Sequence, residues 1–216
     1  MSDYQYTVAE EIANSVTHGI AAILSIAGLA VMVGYAVHCG ACPVTITSVS
    51  IFGASMFVLY TASTLYHAIP IRRVKGVLRL LDHAAIFLLI AGSYTPFCLV
   101  TLGGIEGLLI CIAEWTIAVV GIVFQRQLIR RSEWLNVALY VAMGWMVVLA
   151  IDTLLAELPT AGLVYLVMGG LSYTFGVIFY LWDRLPFNHA IWHVFVFLGT
   201  FLQFLSVLLY VIPSAN

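Results

Sequence analysis

Charge is what this sequence has least of. Its 216 residues include eight basic and ten acidic side chains, 8% of the chain. A soluble domain carries roughly 25%, so a water-soluble globule could not cover its surface with so few ionic groups. The same scarcity of basic residues excludes a nucleic-acid binder, and a hydrophobic share of 63% excludes a disordered chain. Cysteine is scarce as well: four are too few for the disulfide framework of a secreted module. Residues 1–17 contain Glu10 and Glu11 but no Lys or Arg. The basic start of a signal peptide is therefore missing, and no cleavable leader is expected.

Long apolar runs are what the chain has instead. Mean hydropathy is +1.08, and seven runs stand out at about 18–37, 48–69, 82–102, 105–124, 134–155, 161–181 and 188–211. A spanning helix uses about 20 apolar residues, so seven take up roughly 140 and leave only short loops. The expected fold is an all-α, polytopic membrane protein of seven transmembrane helices in one domain, residues 1–216. Pro43, Pro70, the Gly103–Gly104 pair, Pro159 and Pro186 punctuate the connections. Tyr94, Thr95 and Pro96 interrupt span three, where the proline predicts a kink.

The basic residues are confined to three loops. Arg72, Arg73, Lys75 and Arg79 lie between spans two and three, Arg126, Arg130 and Arg131 between four and five, and Arg184 between six and seven. With seven spans these loops share one side with the N-terminus, while Glu106, Asp152 and Glu157 lie on the other side without a Lys or Arg. The positive-inside rule then predicts a cytosolic N-terminus and an outside C-terminus.

Side chains able to do chemistry are rare in such a chain, so their depth is informative. Of six histidines, His18, His67, His83, His189 and His193 fall at the basic ends of their spans and only His38 at the other. His189 and His193 stand at i, i+4, on one helical face, a spacing that lets two imidazoles share a metal. Ser63 and His67 repeat it at the end of span two, and Asp82 opens span three at similar depth. Three imidazoles with a nearby carboxylate form the ligand set of a zinc site that keeps a place for water.

Other readings stand beside this one. The HxxxH can simply reach lipid headgroups, Ser63 can bond back to its own helix, and Asp82 can cap span three or pair with Arg79. Glu11, Asn14 and His18 recur on one face and also fit a capping network at a helix entry. Glu114, mid-way along span four, is a costly group there, and it reads as a protonated, cavity-facing or proton-relay carboxyl. Gln203 reads as interhelical glue. Cys39 and Cys42 form a lone CxxC, read as incidental with a local disulfide as the alternative. Cys98 and Cys111 read as packing residues.

Taken in order, these residues resemble the hemolysin III branch of the progestin and adipoQ receptor family. That family belongs to a wider superfamily of seven-helix proteins that includes alkaline ceramidases. The resemblance runs from about residue 8 to 211. It is carried by Glu11-x-x-Asn14-x-x-x-His18, Ser63-x-x-x-His67, Asp82 in LDHAAIFLLIAGSYTPF, and His189-x-x-x-His193. It implies a zinc held by His67, His189 and His193, with Asp82 acting at or near the water beside the ion. Ser63 would lie close by, with Glu11, Asn14 and His18 in support. His83 maps onto no role.

Three functions follow from the resemblance. One is a zinc-dependent hydrolase of lipid-like amides, with Asp82 as general base and Ser63 as hydrogen-bond donor. Another is a non-enzymatic membrane-homeostasis sensor with a structural zinc. The third is cytolysis, which no repeated polar stripe supports. Expected partners are membrane lipids and a lipid-like small molecule, and the expected location is the bacterial inner membrane.

Overall fold

The structure, a computed structural model, describes residues 6–215. Its helices are α1 (Val8–His38), α2 (Pro43–Ala68), α3 (Arg72–Pro96), α4 (Gly104–Val123), α5 (Gln125–Arg131), α6 (Glu133–Gly144), α7 (Ile151–Glu157), α8 (Thr160–Tyr180) and α9 (Asn188–Ser206). Helix α3 runs on into a π-helical turn at Phe97–Leu102, and α9 into another at Val207–Val211. Helices α6 and α7 form the fifth span together, through a 3₁₀ turn at Met146–Ala150. The chain is thus an all-α integral membrane protein, with seven helical segments among the described residues that are long and apolar enough to span a membrane. Sequence neighbours α1, α2 and α3 pack together, α8 packs on α9, and α9 returns to α1 to close the bundle.

Polarity is arranged as a lipid solvent requires. Ile12, Val16, Ile20 and Ile23 face outward, whereas Ser48, Ser63, Thr95, Thr200 and Ser206 are buried. Most of these hydroxyls find partners inside. Tyr60 donates to Thr200 Oγ1 at 2.7 Å, and Ser206 donates to the Gly162 carbonyl at 2.8 Å, which ties α2, α8 and α9 together. Small residues set the closest approaches. A Cβ at Gly121 would strike the Phe87 ring, and one at Gly176 would strike Trp192.

Two details depart from the apolar runs. Helices α1 and α3 begin about three turns before those runs. His18 and Asp82 therefore sit well inside their helices, and Asp82 does not cap α3. Early polar residues such as Arg72, Arg73 and Lys75 lower hydropathy without preventing helix. The fifth span breaks after Gly144, where Tyr94 repairs the loose backbone: its hydroxyl donates to the Gly144 carbonyl and accepts from Val147 N–H, both at 2.9 Å. Gly103 and Gly104, with φ of 59° and 52°, make the tight turn between the third and fourth spans that only glycine adopts freely.

Candidate metal centre

The site is built at the helix ends next to the basic loops. Helix α1 starts on a capping box, in which Thr7 Oγ1 accepts from Glu10 N–H and Glu10 Oε2 accepts from Thr7 N–H. Glu10, not Glu11, is thus the capping residue. Its Oε1 also accepts from Phe187 N–H at 3.1 Å. That contact helps hold Phe187 at φ 58°, a conformation a bulky residue rarely adopts. Phe187 launches α9, so the cap of the first span helps set the angle at which His189 and His193 enter.

Glu11 is then available for another task. Its Oε2 lies 2.6 Å from His67 Nδ1, and its Oε1 accepts from Lys75 Nζ at 2.6 Å. Asn14 Nδ2 is 3.4 Å from the same ring nitrogen. The shorter contact decides the tautomer: Nδ1–H donates to the carboxylate, leaving the lone pair on Nε2. His193 is oriented in the same way. Its Nδ1–H points to the Asn14 carbonyl at 3.1 Å and Thr17 Oγ1 at 3.2 Å. Thr17 is a partner that sequence reasoning missed, although it lies on the same helix face as Asn14, one turn along.

These constraints bring three imidazoles together. Candidate ligand atoms of His67, His189 and His193 all lie within 4.8 Å of one another, and all three residues are buried. Ring centroids are 5.0 Å apart for His67 and His189 and 4.5 Å for His189 and His193. His18 is not in the group but stacks on His193, centroid to centroid 3.5 Å and 9° from parallel.

The donor chemistry fits a metal ion. His67 Nε2 and His189 Nε2 are buried without a hydrogen-bond partner among the described residues. Leaving such atoms unpaired is costly, and an ion that accepts their lone pairs removes the cost. A ring whose other nitrogen is bound to a carboxylate or a carbonyl is also how metal-binding histidines are usually held.

Asp82 and Ser63 join the group through space. Both line a cavity of about 110 Å³ together with His18, His189 and His193, large enough for several waters. Ser63 does not bond back to its helix, unlike Ser48, Ser50 and Thr64, which each donate to the carbonyl four residues earlier. Its buried hydroxyl has no partner among the described residues. The Asp82 carboxylate lies 3.5 Å from His83 Nδ1, and that nitrogen also approaches the Arg79 carbonyl at 2.9 Å. From this end the cavity runs along the seam between the fifth and sixth spans, past Tyr140, Gly144, Gly170 and Thr174, to Gln203. Its walls are largely apolar side chains. Gln203 lies against Gly169 of α8, and its Oε1 has no partner among the described residues.

Glu114 does not join this constellation. It is fully buried on α4, neither oxygen has a partner among the described residues, and it lies off the cavity wall. No disulfide joins Cys39, Cys42, Cys98 or Cys111 among the described residues.

Comparison with known proteins decides the lineage. A family model described as "Haemolysin-III related" matches residues 6–204. The chain belongs to this family. It is 45% identical to "Hemolysin-3" of Bacillus cereus, across 97% of this chain and 95% of that protein. It is 43% identical to the "Hemolysin-3 homolog" of Bacillus subtilis (strain 168), across 95% and 96%. A more distant human relative, "Monocyte to macrophage differentiation factor", is 28% identical across 98% of this chain and 88% of that protein. The residues from Glu11 to His193 that build the centre all fall inside the span matched by the haemolysin-III family.

Proposed function

We propose that this haemolysin-III-related protein is a zinc-dependent hydrolase of an amide-linked amphiphile. One observation carries the reading: candidate ligand atoms of His67, His189 and His193 lie within 4.8 Å of one another, and His189 and His193 line a largely apolar cavity with the Asp82 carboxylate and the unpaired Ser63 hydroxyl. His67, His189 and His193 would hold the ion. Three imidazoles suit zinc, which in catalytic sites takes three protein ligands and keeps one position open. When bound there, zinc supplies Lewis acidity to polarise a carbonyl and activate water.

The chain's own residues supply the rest. Asp82, on the cavity wall but outside the ligand group, accepts the proton released by attacking water and returns it to the amide nitrogen as the C–N bond breaks, so that the products are a carboxylic acid and a free amine. Ser63 donates a hydrogen bond to the carbonyl oxygen as negative charge gathers on it. Glu11 and the Asn14 carbonyl hold the tautomers of His67 and His193, and His18 braces His193 by stacking. The apolar length of the cavity takes the acyl chain and excludes bulk water. By the charge bias of the loops, this end of the bundle faces the cytosol, and in a bacterium the fitting location is the inner membrane.

A second reading has its own observation. The three imidazoles come from α2 and α9, so a metal would cross-link two helices distant in sequence even with no chemistry to perform. A sensor with a structural metal would use that link. The hemolysin name of the Bacillus relatives raises lysis as a third reading, but the histidines, Asp82 and Ser63 gather at one end of the bundle rather than along its length.

The test is turnover of a panel of fluorescent N-acyl amides by purified, zinc-loaded protein. Chelation is expected to abolish hydrolysis, and one equivalent of zinc to restore it. A folded, zinc-loaded sample inactive across the panel would favour the structural metal. Dye leakage from liposomes that survives chelation would favour lysis.

A further inference from the structure

The cavity has a polar group that neither the histidine centre nor its helpers use. Asn136, in the first turn of α6, is 2% exposed, and neither its Oδ1 nor its Nδ2 has a hydrogen-bond partner among the described residues. It lines the same cavity as Ser63, Asp82, His189 and His193. One turn further, on the same face of α6, Tyr140 donates to the His83 carbonyl at 2.9 Å. That bond pins this face of α6 beside α3 at the depth of Asp82. A rigidly held carboxamide with both ends unpaired is expensive unless the occupant of the cavity supplies its partners.

The placement says what kind of partner. Helix α6 packs chiefly on α3, α5 and α8, whereas the imidazoles come from α2 and α9. Asn136 therefore faces the occupant from a different wall. In a trans secondary amide the C=O and N–H point in opposite directions. An amide whose carbonyl oxygen faces the histidines and Ser63 thus turns its N–H toward α6, where Asn136 Oδ1 accepts it, while Nδ2 is left to donate to a head-group oxygen. An ester puts a weakly accepting oxygen in place of the N–H. Turning the carboxamide around to meet that oxygen leaves Oδ1 with no donor.

We propose that Asn136 is the specificity-determining residue that selects amide-linked over ester-linked amphiphiles. The proposal rests on the hydrolase reading for its substrate class, yet it concerns binding and can be measured without turnover. A buried group that has lost its hydrogen-bond partner discriminates strongly between otherwise matched ligands.

The experiment compares equilibrium binding of radiolabelled N-palmitoyl ethanolamine and ethylene glycol monopalmitate to the full-length, metal-loaded protein in detergent. Intact probe is counted by mass spectrometry, so hydrolysis does not distort the result. The parent is expected to bind the amide at least tenfold more tightly. Asn136→Leu is expected to bring the ratio to within about twofold of one, by loss on the amide side only, and Asn136→Ala does the same should leucine disturb folding. Gln125→Leu is the comparison. Gln125 is likewise a fully buried carboxamide, but it lies off the cavity wall, and its loss leaves the preference intact. Equal binding of both probes by the parent, or an unchanged preference in both Asn136 variants, overturns the proposal. Selective amide binding without turnover supports Asn136 while counting against hydrolysis. Turnover with no preference for the amide does the reverse.

Discussion

Asp82→Asn is expected to keep the metal and lower lipid-amide turnover by about 10²- to 10⁴-fold, the usual contribution of a positioned general base. The two halves of this result have separate causes. Metal retention follows from the candidate ligand group, which comprises His67, His189 and His193 and not Asp82. Loss of turnover follows because asparagine preserves size and hydrogen bonding but cannot take a proton. Asp82 lies almost three turns inside α3, so the exchange removes no helix cap. Zinc content and thermal midpoint are therefore expected to match the parent while kcat falls. A variant with parental turnover would remove Asp82 from the chemistry and leave the histidines as a structural tie.

Glu11 carries the second large effect, through His67. Its carboxylate accepts from His67 Nδ1–H at 2.6 Å and is itself paired with Lys75. Removing such a partner from a metal-binding histidine typically weakens metal affinity by about 10- to 100-fold. Glu11→Ala is expected to show that loss in a titration against a competing chelator. Glu11→Gln, which retains an acceptor but no charge, should fall between Ala and the parent. Lys75→Met, one contact further from the ring, should change affinity less than Glu11→Ala. A purely capping Glu11 would alter stability and leave metal affinity unchanged, but the capping task belongs to Glu10 and Thr7.

Much of this account was legible in the sequence because the bilayer leaves a chain few choices. Backbone groups in hydrocarbon must be satisfied within the helix, so apolar runs about 20 residues long mark spans directly. The scarcity of polar side chains made His18, His67, His189 and His193 conspicuous, and i, i+4 spacing placed His189 and His193 on one face. What stayed hidden depends on contacts between helices. No local pattern tells that Tyr94 will repair the fifth span at Gly144. Nor does any pattern tell that Glu10 will reach Phe187 while its neighbour Glu11 reaches His67. His18 has the expected spacing from Asn14, but its stacking on His193 is a product of the closed ring of helices. Asn136 was overlooked for a simpler reason: an Asn near the end of a span reads as an ordinary interfacial residue until its burial and lack of partners are seen.

Helix starts were misjudged for a related cause. Apolar runs report where lipid begins, whereas α1 and α3 continue past that boundary through polar turns. Asp82 and His18 therefore lie deeper along their helices than hydropathy implies, which fits them to one buried cavity better than to a surface cap.

If the three imidazoles at the basic end hold one metal ion, elemental analysis of the purified protein beside a His189→Ala/His193→Ala variant reads it out. About one zinc per chain is expected in the parent and little in the variant. A folded, chelator-free parent with no zinc, or a variant that keeps the full amount, would contradict that reading.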